Sequence, residues 1–490
     1  MRVHLIGISG TGMGQLAMLM QQAGHDVGGS DVAFDPPMGP ALEAAGIRCF
    51  RGYDATHISP SLDRVIVGNA IRRDNPEAAA ASELGVSRYS MSAALREQFL
   101  IGRKPLVVCG THGKTTTSAM CAWVLSQAGL DPGYFIGGLP KNFPSGASIG
   151  STKRRLDATL AAARAPFVVE GDEYDAVYWH KEPKFFDYIG IGHDDVVILT
   201  SVEHDHVDIY PSAQVYEAQF AALLSRLPPS GLLVCDAHDP RARDIAQQSA
   251  RAPIVYYAID GDDAGNVTPT WQGALAPFDR ASGTQPFDLY AGGSYCGRFS
   301  LTVPGAHNVR NAIAAVAACA EGFGVGVATA RAALASFAGV RRRQDLQGMP
   351  GGIAVYDDFA HHPTAVDETL RALKSKYPDG QLWAVFEPRS ATACRSLHQA
   401  KYAAAFNAAD RVLLAPLGRT NIAESERLDV ERLARDIGNR AEAMPSVEAI
   451  AARIKGGARS GDVVALLSNG AFGGLLARLL TSLAPEGSAS

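Results

Sequence analysis

The chain has 490 residues, 47% of them hydrophobic and 19% charged, a globular composition that excludes a disordered or low-complexity protein. At about 100–200 residues per domain the length allows roughly two to four domains, with three as the central expectation. Lys+Arg 45 against Asp+Glu 50 leaves a net charge of −5, which excludes a general nucleic-acid or anionic-membrane binder and leaves room for a local basic pocket.

The cysteines, Cys49, Cys109, Cys121, Cys235, Cys296, Cys319 and Cys394, are scattered, odd in number and never spaced C-x-x-C. They read as free thiols in a reducing compartment, not as a disulfide framework or a zinc ribbon. Met1 leads directly into VHLIGI without the charged region or cleavage site of a signal peptide. No apolar run reaches the roughly 18 residues that span a bilayer. The expectation is a cytoplasmic protein without a membrane partner.

In chain order, residues 2–8 predict a buried strand. A glycine turn follows, then a helix from about Met13 to Ala23 closed by Gly24, and a second strand ending at Ser30-Asp31. RVIVG at 64–68 predicts another strand, and Asn75-Pro76 opens the next helix. This alternation is that of a parallel, Rossmann-like α/β domain. Its first turn, Gly7-Ile8-Ser9-Gly10-Thr11-Gly12-Met13-Gly14, reads G-x-x-G-x-G-x-G and not G-x-G-x-x-G, so a nicotinamide cofactor is poorly supported. The glycines still allow close approach of a ligand, the helix N-terminus attracts phosphate, and Asp31 can accept from a ribose hydroxyl. A nucleotide-linked ligand and a purely structural tight turn both fit.

Residues 101–105 predict a linker. Leu106–Cys109 then predicts a strand and Thr115–Ala128 a helix capped by Gly129. Between them lies Gly110-Thr111-His112-Gly113-Lys114-Thr115-Thr116-Thr117. Backbone amides in such a loop cradle phosphates, the lysine neutralises the outer ones, and the following hydroxyl suits Mg²⁺. The usual motif has a further glycine where this chain has Val108, so the loop is a shortened variant. Strands are expected at 167–169 and 196–200, an Ala-rich helix near Asn311–Glu321, and irregular strands or loops over 260–300. A third α/β pattern follows Gly339, with strands at 353–357, 382–386, 411–415 and 463–467, and a frayed tail from Glu486 to Ser490.

Two polar segments sit just past strand ends. In Glu170-Gly171-Asp172-Glu173-Tyr174-Asp175, Glu170 is nearest the strand and suits Mg²⁺, whereas Glu173 and Asp175 read equally well as a solvated loop. In Glu203-His204-Asp205-His206-Val207-Asp208, the His-x-His-x-Asp pattern admits a binuclear metallohydrolase. That motif calls for a further histidine where Ile209 stands, which weighs against it.

Taken together, GTHGKTTT at 110–117, EGDEYD at 170–175, EHDH at 203–206, HNVRN at 307–311, GVRRR at 339–343 and DDFAHHPT at 357–364 resemble the signatures of the Mur ligase family, in family order and along nearly the whole chain. The resemblance implies an α/β protein of three domains: a Rossmann-like UDP-sugar domain over 1–102, a central P-loop-type ATPase domain over 103–338, and a Rossmann-like C-terminal domain over 339–490. It implies an ATP- and Mg²⁺-dependent amide-forming ligase of peptidoglycan metabolism that works through an acyl-phosphate. Two chemistries within the family come closest: addition of L-alanine to UDP-N-acetylmuramate, or addition of the ready-made tripeptide L-alanyl-γ-D-glutamyl-meso-diaminopimelate. Pro36-Pro37-Met38, Val67-Gly68-Asn69-Ala70, Leu139-Pro140-Lys141-Asn142-Phe143, Glu173-Tyr174-Asp175 and Glu387-Pro388-Arg389-Ser390 favour the tripeptide. A UDP-sugar-binding regulatory protein without catalysis is disfavoured by retention of Lys114, Thr115, Glu170 and His206.

The family also implies residue roles. ATP would be held by Gly110, Thr111, His112, Gly113, Lys114, Thr115, Thr116, Asn308, Asn311, Arg343 and Asp358. Lys114, His206 and Arg343 would serve catalysis, with Arg342 an alternative to Arg343, and Thr115, Glu170 and His206 would hold Mg²⁺. Gly10, Thr11, Gly12, Met13, Asp31 and Asn69 would bind the UDP-sugar. Arg389 and His361 would meet the peptide, although His361 and His362 equally suit the turn before Pro363. Asn308 equally suits helix capping, and three consecutive arginines a solvated face. The carbamylated lysine of some family members has no counterpart, since no lysine lies between Lys184 and Lys374. The base that deprotonates the incoming amine is not identified by the sequence.

Overall fold

The structure is a computed structural model that describes residues 1–36, 38–151, 164–419 and 421–484. Pro37 and the expected tail at 486–490 lie outside the described residues. Three sheets organise the chain. The first is five-stranded and parallel, in the spatial order Arg48–Arg51, Asp26–Asp31, Arg2–Ile6, Arg64–Val67, Arg88–Ser90. Its opening strand has later strands on both sides, so the glycine turn sits at a topological switch point, where open α/β sheets place their ligands. The turn leads into the helix Thr11–Gln22, whose buried face includes Met13, Leu16, Leu19 and Met20. Asn75 caps the helix Pro76–Glu83, accepting from the amides of Glu77 and Ala78.

The second sheet has ten strands. At its centre Lys104–Cys109 pairs in parallel with Val196–Leu199 on one side and Pro166–Glu170 on the other, a second switch point. Leu106 and Val108 point to one face and Val107 and Cys109 to the other, and all four are fully buried, as expected for a strand covered on both faces. The strand begins at Lys104, so residues 104–105 belong to the sheet and not to a linker. Lys104 is anchored there by the Gly322 carbonyl and Asp194.

The expectation of irregular structure over 260–300 is also corrected. Trp271–Leu275, Gln285–Ala291 and Ser294–Leu301 form a regular antiparallel meander that extends the sheet. One face supplies Trp271, Phe287, Leu289, Phe299 and Leu301 to the core. The polar composition that suggested loops belongs to the outward positions and the turns. The Ala-rich helix spans Ala306–Phe323 and packs against the phosphate-loop helix Lys114–Gln127, where alanines permit close approach.

The third sheet has six strands in the order Asp345–Gly348, Ala354–Asp358, Val463–Leu467, Leu382–Phe386, Arg411–Leu414, Ala441–Ala443, parallel except for the first. The two outer strands, 345–348 and 441–443, were not expected from the sequence; both are short and weakly apolar. Five cysteines are buried and two partly so, all as free thiols. Among the described residues no helix is long and apolar enough to cross a membrane.

Candidate active site

The loop 110–117 lies at the carboxyl end of Lys104–Cys109 and opens the helix Lys114–Gln127. Two glycines make this turn possible. Gly110 has φ +125°, and a Cβ there would fall 2.3 Å from Thr200 Oγ1; Gly113 has φ +79°, and a Cβ would fall 2.4 Å from Asn311 Oδ1. The loop is clamped to the next strand end. The amides of Thr111 and His112 donate to the Ser201 carbonyl (2.8 Å) and hydroxyl (3.1 Å), and Thr200 Oγ1 donates to the His112 carbonyl at 2.5 Å. The first-turn amides of the helix, which have no intrahelical acceptor, are therefore what the loop presents to an anion.

Lys114 folds back over the loop. Its Nζ donates to the Gly110 carbonyl at 2.5 Å and to Glu173 Oε1 at 3.0 Å. Burial works against its charge, but Glu173 beside it holds the ammonium pKa above the ordinary lysine value. Of the two readings open for Glu173, a metal role or a solvated loop, solvation is excluded, since its side chain is 1% exposed. Glu173 accepts from Lys114, from Tyr216 Oη at 3.1 Å and from His206 Nε2 at 2.9 Å. Burial opposes its ionisation, but the Lys114 charge and the His206 hydrogen bond prevail and hold its carboxyl below the ordinary range. Asp175 is half-buried and pairs with Lys181. A buried carboxylate three residues past a strand end carries no distinct sequence signal, which is why Glu173 was missed.

Glu170 ends its strand as expected. Its Oε1 accepts from Thr115 Oγ1 at 2.8 Å, and its Oε2 from the Gly137 amide at 2.6 Å. Burial raises its pKa, against the pull of Lys114. Thr115 and Glu170 are therefore brought together, whereas His206 turns to Glu173. His206 adopts φ +53°, uncommon for a non-glycine residue, and its ring lies 4.3 Å from that of Tyr174. Glu173 and Asp205 raise its pKa despite burial.

The third domain closes over this loop. Of the three arginines, Arg341 is exposed, and Arg342 is committed to Asp357 and to the carbonyls of Ser468 and Gly470. Arg343 Nη2 reaches Thr115 Oγ1 at 3.3 Å, with its guanidinium 4.8 Å from the Phe359 ring centre. Asp358 is buried and accepts from the amides of Gln344 and Ala360, both at 2.7 Å. His361 Nδ1 lies 2.9 Å from the Phe359 carbonyl and its Nε2 3.8 Å from Asp205 Oδ2.

A cavity of about 250 Å³ adjoins the loop, between His112, Asp236, His307 and Asn311. Asn311 and Asn308 part company here. Asn308 does not cap its helix; Gly305 holds that position, and the Asn308 amide donates to the Pro304 carbonyl and to Gln344 Oε1. Asp236, which sequence reasoning missed, is lifted by burial to about 7. Its position at the end of the strand Leu232–Asp236 was the available signal.

In the first domain Gly10 is the N-cap and Thr11, Gly12 and Met13 form the first helical turn. Asp31 accepts from the Ser9 amide at 2.9 Å and from Tyr53 Oη at 3.3 Å, and Asn69 is exposed beyond the strand Arg64–Val67. Arg389, far along the third domain, is 46% exposed, with Glu387 at 3.7 Å.

The architecture of three successive sheets matches known proteins. Family models for the Mur ligase catalytic domain, the Mur ligase middle domain and the Mur ligase glutamate ligase domain match residues 2–100, 108–319 and 341–470. The chain belongs to the Mur ligase family. It is 36% identical to the UDP-N-acetylmuramate–L-alanyl-gamma-D-glutamyl-meso-2,6-diaminoheptandioate ligase of Escherichia coli, over 100% of each chain. It is 35% identical to the UDP-N-acetylmuramate–L-alanine ligase of a Roseiflexus species, over 96% of each. Among solved structures, a murein peptide ligase from Psychrobacter arcticus aligns with a TM-score of 0.72 at 34% identity, over 100% of this chain and 99% of that one. This member of the family is thus an amide-forming ligase built on the three-domain Mur architecture.

Proposed function

We propose that the chain joins UDP-N-acetylmuramate to L-alanyl-γ-D-glutamyl-meso-diaminopimelate at the expense of ATP, in peptidoglycan recycling. The observation that carries the ATP-dependent step is a phosphate loop whose own Lys114 folds back onto the Gly110 carbonyl while Glu170 and Arg343 both meet the Thr115 hydroxyl. The muramyl carboxylate attacks the γ-phosphorus and ADP leaves; the peptide amine then attacks the acyl-phosphate carbonyl and phosphate leaves. Both steps crowd negative charge at one point, so the chain must supply cations that need no reorganisation. Lys114 and Arg343 are such cations, held in place by Glu173 and by the Phe359 face.

The residues proposed for Mg²⁺ fit that ion. Thr115 and Glu170 offer a hydroxyl and a carboxylate oxygen, the hard donors that Mg²⁺ takes, and Glu170 bears a burial-raised pKa that a cation offsets. Bound there, Mg²⁺ neutralises charge between the triphosphate and the acceptor carboxylate. His206 would have to exchange Glu173 for an ion. Asn311, lining the cavity beside Gly113, supports an adenosine reading, and Asp358 would meet the nucleotide from the third domain. The UDP-sugar would occupy the first switch point, at Gly10–Met13, Asp31 and Asn69. The exposed Arg389 would offer its guanidinium to a peptide carboxylate, with His361 nearer the loop. We place the domain boundaries near 102 and 339. The cytoplasm, where ATP and UDP-sugars reside, is the proposed location.

A second reading is the addition of L-alanine alone, because a relative of that name is 35% identical along the chain. The test is phosphate release from ATP and UDP-N-acetylmuramate with either acceptor. Turnover with the tripeptide and none with L-alanine is expected; activity with L-alanine alone would sink the tripeptide assignment.

A further inference from the structure

A group of side chains at the phosphate loop, one of them the loop's own His112, is assigned no role in the transfer steps above. His112 Nε2 lies 2.8 Å from Glu203 Oε2, and His362 Nδ1 lies 3.2 Å from the same oxygen. One ligand atom from each of the three residues falls within 4.8 Å of the others. Among the described residues they are the one such group of three or more potential ligands. Two come from the central domain and the third from the first turn before the helix Pro363–Lys376 of the C-terminal domain.

His362 is the observation that needs an explanation. Its side chain is 3% exposed, yet neither ring nitrogen has a hydrogen-bond partner. Its Nδ1 approaches Glu203 without hydrogen-bond geometry. Buried polar atoms are nearly always satisfied, so an unsatisfied imidazole aimed at a carboxylate and a second imidazole marks a position where something else binds. The His112 and His362 rings are 4.8 Å apart between centres. Burial and the neighbouring His112 hold the His362 pKa well below its ordinary value, which keeps the ring neutral with a free lone pair. Burial opposes ionisation of Glu203, but the hydrogen bond from His112 prevails and holds its carboxyl at about 2. Thr364 Oγ1 donates to Glu203 Oε2 at 2.7 Å and orients it, as outer-shell partners orient metal ligands.

We propose that His112, Glu203 and His362 form a transition-metal site that takes Zn²⁺ and fastens the C-terminal domain to the central domain at the mouth of the nucleotide cavity. Two imidazoles and one carboxylate are a zinc donor set, and tetrahedral ligands about 2.0–2.1 Å from the ion sit about 3.3 Å apart, close to the separations already present around Glu203. Two imidazoles around one carboxylate make a softer donor set than the oxygen pair of Thr115 and Glu170, and no residue is shared between the two sites. Because the ligands come from two domains, an ion here requires the closed arrangement.

The test is Zn²⁺ binding to the full-length protein in excess Mg²⁺, read by competition with a chromophoric chelator and by the Zn²⁺-dependent rise in melting temperature. Co²⁺ absorption reports the coordination. The wild type is expected to bind one Zn²⁺ per chain and to melt higher with it. His112→Gln and His362→Gln are each expected to weaken binding at least tenfold and to abolish the rise. Glu203→Gln serves in place of either variant if that variant does not fold. His180→Gln removes an exposed histidine 3.6 Å from Glu182 and is expected to change nothing. Undiminished binding in either His112→Gln or His362→Gln, or loss of binding in His180→Gln alone, overturns the proposal. Because the readout is metal binding and not turnover, its failure leaves the ligase reading untouched.

Discussion

Two glutamates, one in the first domain and one in the second, are equally buried and answered in different ways. Glu77, fully buried, is surrounded by protein groups alone: His4 Nε2 at 3.1 Å, His57 Nδ1 at 2.6 Å, the Ser30 hydroxyl and the Asp54 amide at 3.2 Å. These bonds tie two strands, a turn and a helix N-terminus together. Glu173 is answered by Lys114 and His206, one from the phosphate loop and one from a strained position past a strand end. The first arrangement is complete as it stands. The second holds a cation that an incoming anion can recruit. A buried carboxylate is thus structural or functional according to whether its partners are free to answer a ligand, and burial alone does not distinguish the two.

The largest expected effect is at Glu173. Glu173→Gln leaves Lys114 charged and without its counter-ion, a change that costs about 3–5 kcal/mol when a buried pair is broken. The urea transition of the central domain should move accordingly, and adding Lys114→Met should recover much of the loss. A single variant as stable as wild type would break the comparison. Next comes Lys114→Ala, which should lower the rate of phosphate release on the order of 10²–10³-fold, the scale for removing one preorganised group that stabilises transition-state charge. Full activity in that variant would refute the phosphate-loop role.

The sequence showed Lys114 but not its partner, for a physical reason. A phosphate loop must combine glycines, a lysine and hydroxyls in one short run, so Gly110, Gly113, Lys114 and Thr115 are legible locally. The same holds for the parallel strands, whose apolar runs need no knowledge of their neighbours. Glu173 and Glu77 acquire their character from contacts with residues distant in the chain, such as His206, 33 residues from Glu173, and His4, 73 residues from Glu77. The meander at 271–301 was hidden because only one of its faces is buried. Among the three arginines the pattern could not separate Arg342 from Arg343. Only the folded hinge sends one to Asp357 and the other to Thr115.

A smaller effect is expected at Glu77. Burial favours its neutral form, but hydrogen bonds from His4, Ser30 and His57 outweigh this and depress its pKa below the ordinary 4.5. A depressed carboxyl contributes stability that is fully present above the unfolded pKa and is lost as pH falls through the folded one. Glu77→Gln should therefore cost about 1–3 kcal/mol near neutrality, the price of an imperfectly answered buried donor set. Its melting curve should converge with that of the wild type as the pH drops below the ordinary glutamate range. Parallel profiles across that window would show that the network does not titrate as a unit.

The smallest effect, and the finest probe of the comparison, is Ser30→Ala. The Ser30 hydroxyl donates to Glu77 Oε2 and lies 3.3 Å from His4 Nε2, so it supports the carboxylate from one side only. Removing it leaves His4, His57 and the Asp54 amide in place, and the expected cost is about 0.5–1.5 kcal/mol, that of one hydrogen bond. The pH dependence is more telling than the magnitude. With one of its stabilising donors gone, Glu77 should rise toward 4.5, and the acid limb of the stability profile should move to higher pH. Phosphate release at neutral pH should stay at the wild-type rate, because nothing in this network touches the loop that holds Lys114. A loss of turnover out of proportion to the loss of stability would mean that the Glu77 network is not closed on itself, and the two glutamates would then differ in degree and not in kind.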